Sequence, residues 1–158
     1  MSNADFFSYY EAQTDVIFDH LASVPADVLH RKDEKGRTIN GLLDHQVAVD
    51  ELYLLRLQGN PPKKLNDYSA LSLAQMKSKK HEFMAELKKL FLDESFMAKE
   101  FEYTNLEGIH FRLKPSYLLH HLIEHQAHHR GQISLLLRNF DQKPVPSHGY
   151  VMHFGSNK

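Results

Sequence analysis

The 158-residue chain has no cysteine and no tryptophan. Without thiols there are no disulfides, thiolate zinc sites, iron–sulfur clusters or cysteine nucleophiles, so any chemistry must use nitrogen and oxygen ligands. There is no run of about 18 apolar residues of the kind that spans a bilayer. Asp5 and Glu11 stand where a secretory leader has a basic start and an apolar stretch. A cytoplasmic location with no membrane association is the expectation. No charge of one sign dominates either: Lys+Arg 19 against Asp+Glu 20 leaves −1, too little positive charge to track a phosphate backbone, and no nucleic-acid partner is expected. With 42% hydrophobic and 25% charged residues the composition is that of an ordinary folded chain. Its length predicts a single domain over 1–158, at roughly 100 to 200 residues per domain.

Histidine is what the chain has in plenty. There are 12, and His120, His121, His125, His128 and His129 fall within ten residues. The helical pattern around them decides which can act together. Phe7, Tyr10, Ile17, Leu21 and Val24 recur at helical spacing until Pro25 stops the run. The first four residues carry no weight in that reading. A polar loop, Leu29 to Thr38, follows, and Thr38 is placed to cap a second helix running from Ile39 to Gln58, on which Ile39, Leu42, Val49, Leu52 and Arg56 share a stripe. Ser72-Leu73-Ala74-Gln75 has the form of a capping box and opens a third helix with Met76, Phe83, Leu87 and Leu90 on one face. Lys77, Lys79, Lys80, Lys88 and Lys89 are expected on its solvated side. Period-two alternation through Phe101, Tyr103, Ile109, Phe111 and Leu113 predicts a short β-hairpin. Pro115 then starts a fourth helix that reaches about Asn139. The expected fold is all-α, a four-helix bundle of up-down-down-up type with a long first connection and a β-hairpin before the last helix. The tail from Val145 onward has no period, although Tyr150, Val151, Met152 and Phe154 suggest that it packs against something.

Turning about 100° per residue with Leu118 at zero, the fourth helix puts His125 near −20° and His129 near +20°, within its apolar stripe. His121 falls at the edge of the stripe, and His120 almost opposite it. One turn apart, two imidazoles can converge on one ion. His45 sits three residues after Leu42 and four before Val49, on the buried stripe of the second helix. Burying three imidazoles is costly unless they share a partner, and a divalent metal satisfies all three. Imidazole suits zinc or nickel, with iron, manganese or copper as alternatives. The remaining histidines, His20, His30, His81, His110, His148 and His153, are expected at the surface or in loops. His121-Leu122-Ile123-Glu124-His125 also matches the H-x-x-E-H of inverted zinc peptidases, but Glu124 points away from the core and no downstream glutamate completes that site.

Two segments carry a resemblance. Thr38-Ile39-Asn40-Gly41-Leu42-Leu43-Asp44-His45 and Leu119-His120-His121-Leu122-Ile123-Glu124-His125-Gln126-Ala127-His128-His129-Arg130-Gly131-Gln132-Ile133 look like the signature segments of the DinB superfamily. The resemblance implies a four-helix bundle, often dimeric, with a divalent metal on His45, His125 and His129. It also implies a metal-dependent hydrolase or a transferase using a low-molecular-weight thiol, and leaves the substrate unassigned. Three protein ligands leave a coordination position open for chemistry. Asp44 and Asp50 are candidates for a general base by proximity along the chain. His121, Arg130 and Gln132 receive no catalytic part. The competing expectation is a non-enzymatic bundle that binds a metal or a small ligand. Phe6, Phe7, Tyr9 and Tyr10 supply more aromatic surface than one inward stripe absorbs, which predicts a homodimer, unless the tail folds back to cover them.

Overall fold

The computed structural model describes residues 2–155. Four long helices supply most of it. Helix α1 (Asn3–Ala22) opens at Ser2, whose hydroxyl accepts the Asp5 N–H while the Asp5 carboxylate accepts the Ser2 N–H. This reciprocal cap satisfies two otherwise orphaned donors, so Ser2, set aside in the sequence reading, has a structural task. After Pro25 a short helix the periodicity did not reveal, α2 (Ala26–His30), buries Val28 and Leu29. Thr38 caps α3 (Ile39–Leu57) through the Gly41 N–H, and the expected Ser72–Gln75 box opens α4 (Leu73–Leu92). Asp93 ends α4 and caps α5 (Glu94–Met97), a single turn too brief to leave a period.

The hairpin is present. β1 (Phe101–Thr104) pairs antiparallel with β2 (His110–Leu113) in the register Phe101 to Leu113 and Tyr103 to Phe111. It delivers the chain to Pro115, the first residue of α6 (Pro115–Asn139). A last short helix, α7 (Tyr150–Phe154), lies in the tail.

Helix α4 packs against α1 and α3, and α3 packs against α6. A buried hydrogen bond, 2.8 Å from Gln126 Nε2 to Thr14 Oγ1, joins α6 to α1. One hydrophobic core results, with Phe7, Ile17, Leu43, Met84, Leu87, Leu122 and Ile133 among its buried members. Burying each large apolar side chain contributes roughly 1.5–3 kcal/mol.

One expectation needs correction, and a second meets the alternative stated for it. Lys80, assigned to the solvated side of α4, is 1% exposed. The helix turns it inward because a carboxylate waits there, as described below. The second concerns the aromatic cluster of α1. Phe6, Phe7, Tyr9 and Tyr10 are all buried within one chain, since Phe7 packs on Phe91 of α4 and Tyr9 stacks on Tyr150 of the tail with ring centroids 3.9 Å apart. The tail thus covers part of the surface from which a dimer was argued. Val151, Met152 and Phe154 remain exposed.

Candidate metal centre

Packing of α3 against α6 brings one histidine of the first to two of the second. Four residues separate His125 from His129, so both project from the same side of α6 on successive turns and face His45 across the helix contact. His125 Nε2 is 3.2 Å from His45 Nε2 and 3.0 Å from His129 Nε2. The three ligand atoms all lie within 4.8 Å of one another, and these residues form the one such cluster of three among the described residues. His129 is buried, while His45 and His125 are half-buried.

Counting protons tests whether the cluster can satisfy itself. A neutral imidazole has a single N–H. His129 places its own on Nδ1, which donates to Gln132 Oε1 at 2.7 Å, so its Nε2 turns a bare lone pair toward His125. The His125 Nε2 faces two nitrogens with at most one hydrogen, which cannot lie along both directions. Protonation gives no relief. Burial, reinforced by the neighbouring His129 and His45, pushes His125 down to about 3. Burial likewise lowers His45 and His129, against smaller opposing effects of Asp44 and Gln132. The site therefore favours neutral rings with converging lone pairs, the form in which imidazole binds metal. With metal–nitrogen bonds of about 2.0–2.1 Å, the donors of a tetrahedral ion lie roughly 3.3 Å apart, close to the separations found. The donor set fits a divalent transition metal.

The other histidines divide as follows. His121 is exposed on α6, its ring centroid 5.9 Å from that of His125 and 5.4 Å from that of Tyr53. It stays outside the cluster. His120 and Glu124 are exposed, so the peptidase-like motif does not assemble. His81 reaches Asp15, and His20 reaches the Lys143 carbonyl. His148 and His153 contact one another at the tail.

Gln132, part of the matched motif but without an assigned role, proves to be the residue that orients His129. Its Oε1 takes the His129 Nδ1–H and its Nε2 donates to His128 Nε2 at 3.0 Å. The i, i+3 spacing of His129 and Gln132 was the available signal. Arg130 donates to the His148 carbonyl at 3.3 Å and so ties the tail to α6.

Both candidate bases have partners of their own. Asp44 Oδ1 accepts the Tyr68 N–H at 2.6 Å and fastens the loop that follows α3. Asp50 is fully buried, with Lys80 Nζ at 2.5 Å and Tyr10 OH donating at 2.6 Å. Burial, together with the Asp50 carboxylate, holds the Tyr10 hydroxyl well above its ordinary pKa and thus protonated. Asp50, Lys80 and Tyr10 complete one another inside the core.

The architecture and the inward cluster together describe a mostly helical protein with three imidazoles arranged to accept an ion. Comparison with known families agrees with this description. The DinB family model matches residues 1–154, and the chain belongs to the DinB family. No curated protein matches it.

Proposed function

We propose that this DinB-family protein binds one divalent transition metal, zinc or nickel before iron, manganese or copper, on His45, His125 and His129. We further propose that it is a metal-dependent hydrolase or thiol S-transferase acting on a small molecule. The observation that carries the reading is the meeting of three Nε2 atoms with too few hydrogens to bond them. A divalent ion at such a site supplies Lewis acidity that lowers the pKa of a water or a thiol.

The chain's own residues have separable parts. Burial keeps the imidazoles neutral, Gln132 fixes the tautomer and ring plane of His129, and the α3–α6 contact holds His45 against the other two. A thiolate route must import its sulfur, since the chain has no cysteine, and a low-molecular-weight thiol such as bacillithiol or mycothiol is the partner the resemblance supports.

Elemental analysis of protein purified without a histidine tag is the decisive measurement, with close to one transition metal per chain expected. Metal-loaded protein inactive toward thiols and hydrolysable substrates, but sharply destabilised by chelation, would favour the non-enzymatic alternative. The proposal includes an up-down-down-up arrangement of α1, α3, α4 and α6 in one domain, and a cytoplasmic setting without nucleic-acid or membrane partners. No helix among the described residues is long and apolar enough to cross a membrane. A homodimer remains part of the proposal on the family resemblance. Light scattering across micromolar concentrations distinguishes it from the 18.4 kDa single chain.

A further inference from the structure

A cleft of about 410 Å³ opens between α3, the N-terminal part of α6 and the hairpin. Its walls are largely aromatic, with Tyr53, Tyr103, Phe111 and Tyr117 among them, and His121 lines it on the side that adjoins His125. Arg56 is the cation in this wall. It is 6% exposed, and its guanidinium carbon lies 4.4 Å from the Tyr103 ring centroid and 5.2 Å from that of Tyr53.

The rings of Tyr103 and Tyr53 cover the guanidinium, and its Nε–H edge is left without a partner. An aromatic ring interacts with the flat side of Arg, whereas the five N–H groups point outward in its plane. Arg56 Nε is buried without a hydrogen-bond partner. No carboxylate lies within ion-pair distance of Arg56 among the described residues. Glu107, the acidic residue of the cleft, is exposed and makes no such pair. A buried cation without a counter-ion is costly, and the cost is offset when an anion arrives. Lys80 shows how this fold treats a buried cation that is purely structural: it supplies Asp50 at 2.5 Å. Arg56 has no such partner, and it sits in a cleft of a size that admits a small molecule.

We infer that this cleft binds the carboxylate of a small aromatic or apolar acid, with Arg56 as the anchor and the aromatic walls holding the remainder. The guanidinium fork matches a planar carboxylate through paired N–H bonds. His121 lines the cleft and stands within ring contact of both Tyr53 and His125, so the cleft adjoins the proposed metal site. The inference specifies the substrate class of the proposed enzyme and in that respect rests on that proposal, but its test needs neither metal nor turnover.

The probes are benzoate and its neutral isostere benzamide, with binding followed by calorimetry or ligand-observed NMR. The full-length protein as purified and its His45→Ala variant are compared. Benzoate is expected to bind both proteins at least tenfold more tightly than benzamide, and Arg56→Gln is expected to remove that preference while leaving metal content unchanged. Arg56→Lys, which keeps the charge and loses the fork, should fall between. If Arg56→Gln does not fold, the benzoate-to-benzamide ratio of the wild type decides. Equal affinity for the two probes overturns the inference, as does benzoate binding that disappears in His45→Ala, which would place the carboxylate on the metal. Inorganic phosphate binding more tightly than benzoate overturns the carboxylate assignment. Absence of metal from the wild type with benzoate selectivity intact would instead refute the metal proposal alone.

Discussion

Two of the polar clusters inside this protein are satisfied in opposite ways. Lys80, Asp50 and Tyr10 form a closed set: the ammonium meets the carboxylate, the phenol donates to the other carboxylate oxygen, and all three side chains are buried. The charges cancel and each group has a partner, so nothing external is required. His45, His125 and His129 form an open set, in which neutral rings turn lone pairs toward one another and the hydrogens available cannot bond every contact. The closed set serves as scaffold, whereas the open set is one that a shared ion would complete.

The comparison breaks first at the open cluster. His45→Ala, His125→Ala and His129→Ala should each abolish metal binding, since two remaining imidazoles are too few; full metal occupancy in the His45 variant would remove α3 from the site. The closed cluster should respond through stability. Lys80→Met leaves the Asp50 carboxylate buried without its cation and should cost about 3–5 kcal/mol of unfolding free energy. Replacing Lys80 and Asp50 together by apolar residues should cost less than the single change, which a double-mutant cycle in urea would measure.

A pH series on metal-free protein separates the clusters further. His125 titrates at about 3 in the folded chain, against about 6.5 for an unperturbed histidine. Between these values the unfolded chain binds the extra proton, so its contribution to stability is fully present above about pH 6.5 and is lost as pH falls toward 3. Urea midpoints should drop through that window. His125→Asn should flatten the drop, whereas an identical slope in the variant would contradict the assignment. Bound metal should be released on acidification for the same reason, because proton and ion compete for the lone pair.

Smaller effects test the surroundings. Gln132→Ala should weaken metal affinity roughly tenfold to a hundredfold without unfolding the protein, because His129 loses its orienting partner. Competition with a chelating dye would report it. His120→Ala, on the exposed side of α6, should leave affinity unchanged.

Much of this arrangement was legible in the amino-acid order. Period and capping chemistry located the four long helices and the hairpin, because an amphipathic stripe and a Ser-x-x-Gln box are local properties of the chain. His125 and His129 could be placed on one side of α6 for the same reason, and the stripe of α3 pointed His45 inward. The short α2 and α5 escaped notice since a single turn has no period to read. Lys80 was misplaced because composition marks a lysine-rich face as solvated, and the carboxylate that draws this lysine inward is 30 residues away in sequence. Arg56 already stood on the buried stripe of α3, yet its stacking on Tyr103 required the hairpin to fold back over that helix. Sequence by itself determined which residues share a face, because helical geometry repeats over a few residues. Only tertiary structure decided which faces meet, and hence that the histidines lack hydrogens, Lys80 has its carboxylate and Arg56 has none, because these pairings join residues far apart in the chain.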